Sequence, residues 1–191
     1  MMLASTLLAS PALVAASDAA PDTPHYTADG QLVKPLNYRE WVLIGTGLNM
    51  AYGPVRGPAD GAPPFTNVFV NPASYRAFLQ DGAWPDRTVF ILEGRDAVAV
   101  NKAEGGANGF YQGELSFIEA EVKDEKRFAG GWAFFGLSGS EATGAQIPAV
   151  AACYSCHAKN AAVENTFVQF YPVLRDVAKR KGTFKNVPEA F

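Results

Sequence analysis

Two cysteines and a histidine fall within five residues, Cys153-Tyr154-Ser155-Cys156-His157, and constrain this 191-residue chain more than any other feature. C-x-x-C-H is the attachment sequence of a c-type haem, in which two thiols add to the vinyl groups and the adjacent imidazole binds iron. Two intervening residues let one helical turn present both sulfurs to one porphyrin edge and set the histidine under the metal. A thioredoxin-like redox pair would need a βαβ context, and half a zinc site would need two further ligands. The chain has no other cysteine, and its only other histidine is His25. The spacing predicts one covalently attached haem c on Cys153 and Cys156, with His157 as the metal ligand.

Ligand counting extends the reading. An electron carrier closes the sixth position of iron with Met or His. Apart from residues 1–16, the candidates are Met50, in a Gly-rich stretch, and His25; beyond His157 there is neither. An open sixth position is expected, which points to binding or activating a small ligand. A plain electron carrier with Met50 as sixth ligand is the alternative.

Residues 1–16 carry no charge, are rich in Leu and Ala, and end in Val14-Ala15-Ala16 ahead of Asp18. They read as a signal peptide and place the protein in the periplasm; the basic n-region is missing, and a buried helix is the alternative. Composition, at 48% hydrophobic and 18% charged residues, excludes disorder. Sixteen Lys and Arg against 19 Asp and Glu leave a formal charge of −3, so there is no basic field to hold nucleic acid. No apolar run reaches the roughly 20 residues that span a bilayer.

Residues 17–36 are weakly patterned and are expected to be a flexible lead-in, with one haem-binding domain over 37–191. Asn37 and Glu40 resemble a capping box opening a short helix through Trp41, Ile44 and Leu48. A strand is expected at Asn67 to Val70. Asn71 as N-cap and Pro72 at the first helical position predict a helix closed by Gly82. Thr88 to Leu92, Phe110 to Val122 and Gly131 to Leu137 are β-branched or aromatic runs that read as an antiparallel sheet. Helical spacing returns from Glu164 to Lys181, where Pro172 should kink or divide the element. The fold class expected is α+β, mostly β: an antiparallel sheet with a few flanking helices.

In the Phe110 to Val122 strand, strict alternation puts Glu119 on one face with Leu115 and Phe117. If that face lined a haem pocket, burial would raise the pKa of Glu119 and fit it to move protons. Periodicity alone favours a row that reaches solvent at Glu119 and Glu121.

Several stretches together resemble the cytochrome P-460 and cytochrome c′-beta family of monohaem cytochromes. They are Asn37-Tyr-Arg-Glu-Trp-Val42, Val70-Asn-Pro-Ala-Ser-Tyr75, Asn108-Gly109, Glu119-Ala-Glu-Val-Lys-Asp124, Arg127-Phe128, Trp132-Ala-Phe134, the C-x-x-C-H, and Phe167-Val-Gln-Phe-Tyr-Pro-Val-Leu-Arg175. The resemblance implies a mostly antiparallel β fold with a few helices, a homodimer, His157 as proximal ligand and an open distal face. In cytochromes P-460 a distal carboxylate assists hydroxylamine oxidation, and Glu119 matches its position. Those proteins also carry a lysine cross-linked to the haem ring; Leu92 stands at the matching position, and Lys102, in an Asn/Gly-rich loop, does not match it. Without the amine the chain looks closer to cytochrome c′-beta, whose iron is capped by apolar side chains, and the resemblance points to Phe65 and Leu92 for that cap. The expected function is binding of a small nitrogen oxide, nitric oxide first, with an unidentified redox partner; hydroxylamine oxidation using Glu119 is the alternative.

Overall fold

The computed structural model describes residues 22–50, 64–100, 108–138 and 140–187. In chain order the strands are Leu32–Val33 (β1), Val42–Leu48 (β2), Phe65–Val70 (β3), Val89–Ala99 (β4), Phe110–Lys123 (β5), Trp132–Leu137 (β6) and Thr143–Gly144 (β7). The helices are Pro72–Asp81 (α1), Ala152–Asn160 (α2) and Pro172–Lys181 (α3). Strands β2 to β6 form one antiparallel meander in chain order, and β1 pairs with β7. The α+β, mostly β class read from the sequence is the observed one.

Alternation along the meander gives it two faces. One carries Val89, Ile91, Ile118, Ala120, Val122, Ala133, Phe135 and Leu137, sealed by Leu32, Tyr38 and Trp41. The other carries Val70, Phe90 and Trp132, covered by Phe78 and Trp84 after α1 and by Leu174, Val177 and Ala178 of α3. The helices cover only one end of that second face. Farther along it Leu92 is half-buried, and Phe117, Glu119 and Gly136 are exposed.

Two expectations are corrected. The helix read from Asn37 to Leu48 is a 3-10 turn at Tyr38–Glu40 followed by strand β2. Pairing with β3 overrides the local period, and Gly45 lies against the Tyr171 ring, where a Cβ would sit 2.6 Å from a ring carbon. The described part of the lead-in, residues 22–36, belongs to the fold: Leu32 is fully buried, and Tyr26 packs against Phe128 and Phe135. Its partners lie about a hundred residues away in sequence, so no local pattern announces them.

Helix α1 runs as expected, with Pro72 in its first turn and Gly82 left-handed at its end. The Asn71 side chain does not cap it; its Oδ1 accepts from the Val89 amide at 2.9 Å and ties the helix start to β4. Pro172 divides the C-terminal segment, separating the 3-10 turn Val168–Phe170 from α3.

Candidate functional site

Helix α2 carries the C-x-x-C-H motif at the open end of the second sheet face. Cys153 and Cys156 are half-buried free thiols three residues apart, hence on one side of the helix. Tyr154, between them, fixes the helix to the sheet: its hydroxyl accepts from the Phe134 amide at 3.3 Å and donates to the Ile147 carbonyl at 3.0 Å, and its ring meets Phe134 edge-on.

His157 is clamped. Its ring lies between Phe134 and Phe167, with both centroids at 4.5 Å and interplanar angles of 67° and 69°. Nδ1 is 2.7 Å from the Asn165 carbonyl oxygen and donates to it, leaving Nε2 as the nitrogen for a metal. A turn built by tertiary contacts presents that carbonyl. Glu164, at φ 50°, accepts from Lys123 Nζ at 2.8 Å and from Trp132 Nε1 at 3.2 Å, and Thr166 Oγ1 accepts from Trp84 Nε1 at 2.8 Å.

Strand register supplies the rest of the site. One cross-strand row on this face is Val70, Phe90, Glu121 and Phe134; the next is Val68, Leu92, Glu119 and Gly136. A third joins Thr66, Gly94 and Phe117, with the Phe117 ring lying where a Cβ on Gly94 would be. Glu121 Oε1 is 3.5 Å from His157 Nδ1 and buried, without a full hydrogen bond. Burial pushes the Glu121 carboxyl up, with His157 opposing. Burial also raises Glu119, and His157 draws it back. On His157 burial disfavours the charged ring, and the nearby Glu121 carboxylate, with the Asn165 carbonyl and Glu119, outweighs it and raises its pKa.

Leu92 and Glu119 are thus direct neighbours beside His157, while other expected partners are elsewhere. Leu115 is not on their face: a register shift between Gly94 and Arg95 turns it toward the sealed core, leaving Phe117 with Glu119. Phe65 is corrected on the same ground. It pairs with Arg95 and alternates with Asn67 and Phe69, so it stands on the sheet face opposite Leu92. Phe117, 39% exposed, is an aromatic on the Leu92 side in the row beyond Glu119. Met50 lies at edge strand β2, its sulfur against the position a Gly47 Cβ would take; three strand spacings separate β2 from Glu119 on β5, about 14 Å. Lys102 and residues 1–16 lie outside the described residues.

Sequence reasoning missed Phe134, Phe167 and the Asn165 carbonyl, and it left Glu121 to solvent. The two-residue spacing of Glu119 and Glu121 was the available signal, since it puts both acids on one face.

The family model described as Cytochrome P460 matches residues 35–168. The chain belongs to the cytochrome P460 family. No curated protein matches it. The match includes the C-x-x-C-H and ends within the turn that follows the Asn165 carbonyl. Family membership makes the chain a c-type haem protein, and the residues present fit that group. A histidine with Nδ1 engaged and Nε2 left over is the donor expected for haem iron. Two free thiols share its helix, and a Cβ on Gly136 would meet nothing within 4 Å, so the sheet leaves room beside Glu119. Among the described residues no helix is long and apolar enough to cross a membrane.

Proposed function

We propose that this chain is an exported monohaem c-type cytochrome that binds a small nitrogen oxide, nitric oxide first, at a five-coordinate iron. The observation that carries this reading is the open sheet face beside His157, where Leu92 and Phe117 are large apolar groups and the one thioether among the described residues, Met50, lies over Gly47 of edge strand β2, three strands from Glu119. Cys153 and Cys156 would hold the haem covalently and His157 would bind its iron. When bound, the haem supplies an iron with one position for a small ligand. Leu92 and Phe117 exclude water from that position and favour neutral diatomics over ligands that need hydrogen-bond donors. Phe134 and Phe167 keep the His157 ring from rotating, and the Asn165 carbonyl holds its Nδ1 proton.

The second reading, oxidation of hydroxylamine, rests on Glu119. Partial desolvation on the sheet face raises the pKa of its carboxyl, with His157 opposing, which suits a group that takes a proton from a bound ligand. Residues 1–16 would direct export to the periplasm, where an unidentified redox partner would meet the protein, and two copies would form a homodimer.

Optical spectra of the purified protein in ferric, ferrous and nitric-oxide-treated forms test the first reading. The expected result is an ordinary c-type spectrum, without the red-shifted band of a lysine cross-link, and a ferrous form that takes up nitric oxide with no protein ligand to displace. Release of the haem by acid-acetone, or a low-spin ferrous form that Met50→Ala converts to high-spin, would overturn it. Hydroxylamine turnover that Glu119→Gln abolishes would favour the second reading. Sedimentation of a single species near 20.4 kDa would refute the dimer.

A further inference from the structure

Three carboxylates of the sheet region are largely withdrawn from water. Glu93 is met by Arg39 and Arg95, and Asp124 by Arg87 at 2.7 Å. Glu121, with its side chain 13% exposed, has no arginine or lysine partner among the described residues. Its nearest polar neighbour is the imidazole N–H that already donates to Asn165. A buried acceptor with so little compensation is costly where stability alone is at stake.

We propose that Glu121 is a positioning residue for the iron ligand, acting through His157. Its carboxylate draws on the Nδ1 proton together with the Asn165 carbonyl, makes Nε2 a stronger donor, and favours ferric over ferrous iron. The proposal rests on the reading that His157 binds iron. Two features give the contact its direction. The Phe134 and Phe167 rings fix the imidazole plane, so the N–H stays aimed between Asn165 and Glu121. The row partners of Glu121, Phe90 and Phe134, offer no competing donor, so its field falls on the imidazole. Of the other charged groups near the ring, Glu119 adds the same sign, and Glu164 is engaged by Lys123. A carboxylate behind a metal-bound histidine raises the basicity of that ligand.

The test uses the haem-loaded full chain, with two readouts: the midpoint potential and the ferrous iron–histidine stretching frequency. Glu121→Gln keeps the shape and an acceptor and removes the charge. It should shift the one-electron equilibrium about tenfold toward ferrous, about 59 mV upward, and lower the stretching frequency. Glu121→Asp, which retracts the carboxylate by one methylene, should shift both in the same direction by less. It also carries the test should the glutamine variant lose its haem. A potential and frequency equal to the parent's in the variants that retain haem would overturn the proposal while leaving the histidine reading intact. Persistence of the parent's iron–histidine stretch in His157→Ala would overturn the histidine reading and this proposal with it.

Discussion

Glu93 on β4 and Glu121 on β5 are both sheltered from water, on opposite faces of one sheet, and they meet opposite surroundings. On the sealed face Glu93 accepts from the Tyr38 hydroxyl at 2.5 Å, from Arg39 at 2.8 Å and from Arg95, and Asn67 extends the network to Gln112. Burial alone would raise its pKa; the bonds from Arg95 and Tyr38 and the charges of Arg39 and Arg95 hold it below the ordinary carboxylate range. On the open face Glu121 has a histidine ring at 3.5 Å and little else, and burial wins. A fully matched carboxylate contributes stability, whereas a poorly matched one beside a metal-binding imidazole points to a role in chemistry.

The largest expected effect lies on the sealed face. Glu93→Gln should cost about 3 kcal/mol in urea unfolding, because two guanidinium groups lose their counter-charge. Since the folded pKa is depressed, this stability is present above the unfolded value, roughly 4.3, and is lost as pH falls through the folded pKa. The gap between parent and variant should therefore be widest near neutrality and close below about pH 4. A gap that stays constant down to acid pH would break the comparison.

Next in size is Gly94→Ala at the edge of the open face. The new methyl would collide with the Phe117 ring, at a cost of about 1–3 kcal/mol from displacing it. Thermal unfolding measures the loss, and an unchanged midpoint would mean that the ring moves away freely. The smallest expected effects sharpen the contrast. Glu121→Gln should change unfolding stability by less than about 1 kcal/mol, since no arginine or lysine among the described residues loses a partner there. Gly136→Leu should also stay within about 1 kcal/mol, because a Cβ meets nothing within 4 Å at that position. Haem content, however, should fall sharply as the leucine fills the space beside Glu119. Full haem loading in a normally stable Gly136→Leu protein would show that the group binds elsewhere.

Legibility in the sequence followed locality. Helix α1 was readable because Pro72 and Gly82 act within their own turns, and the strands from Val89 to Leu137 because β-branched and aromatic runs mark themselves. The C-x-x-C-H was readable because its chemistry needs only five consecutive residues. Strand β2 is not legible in the same way, because its two glycines and apolar spacing suit a short helix until β3 is there to pair with it. Phe65 falls on the face opposite Leu92 because register, which no local pattern carries, sets the face, and one step along a strand exchanges faces.

By itself the sequence determined the α+β class and the haem-attachment motif, since each depends on short-range pattern. Only the tertiary structure decided which acid stands behind His157, which carbonyl takes its proton and which rings clamp it. Glu121, Phe134, Asn165 and Phe167 come from two strands and the segment after α2. They converge because register, a bulge and one left-handed turn at Glu164 bring them to the same few ångströms. No local periodicity encodes that convergence, because it arises from pairing between segments far apart in the chain.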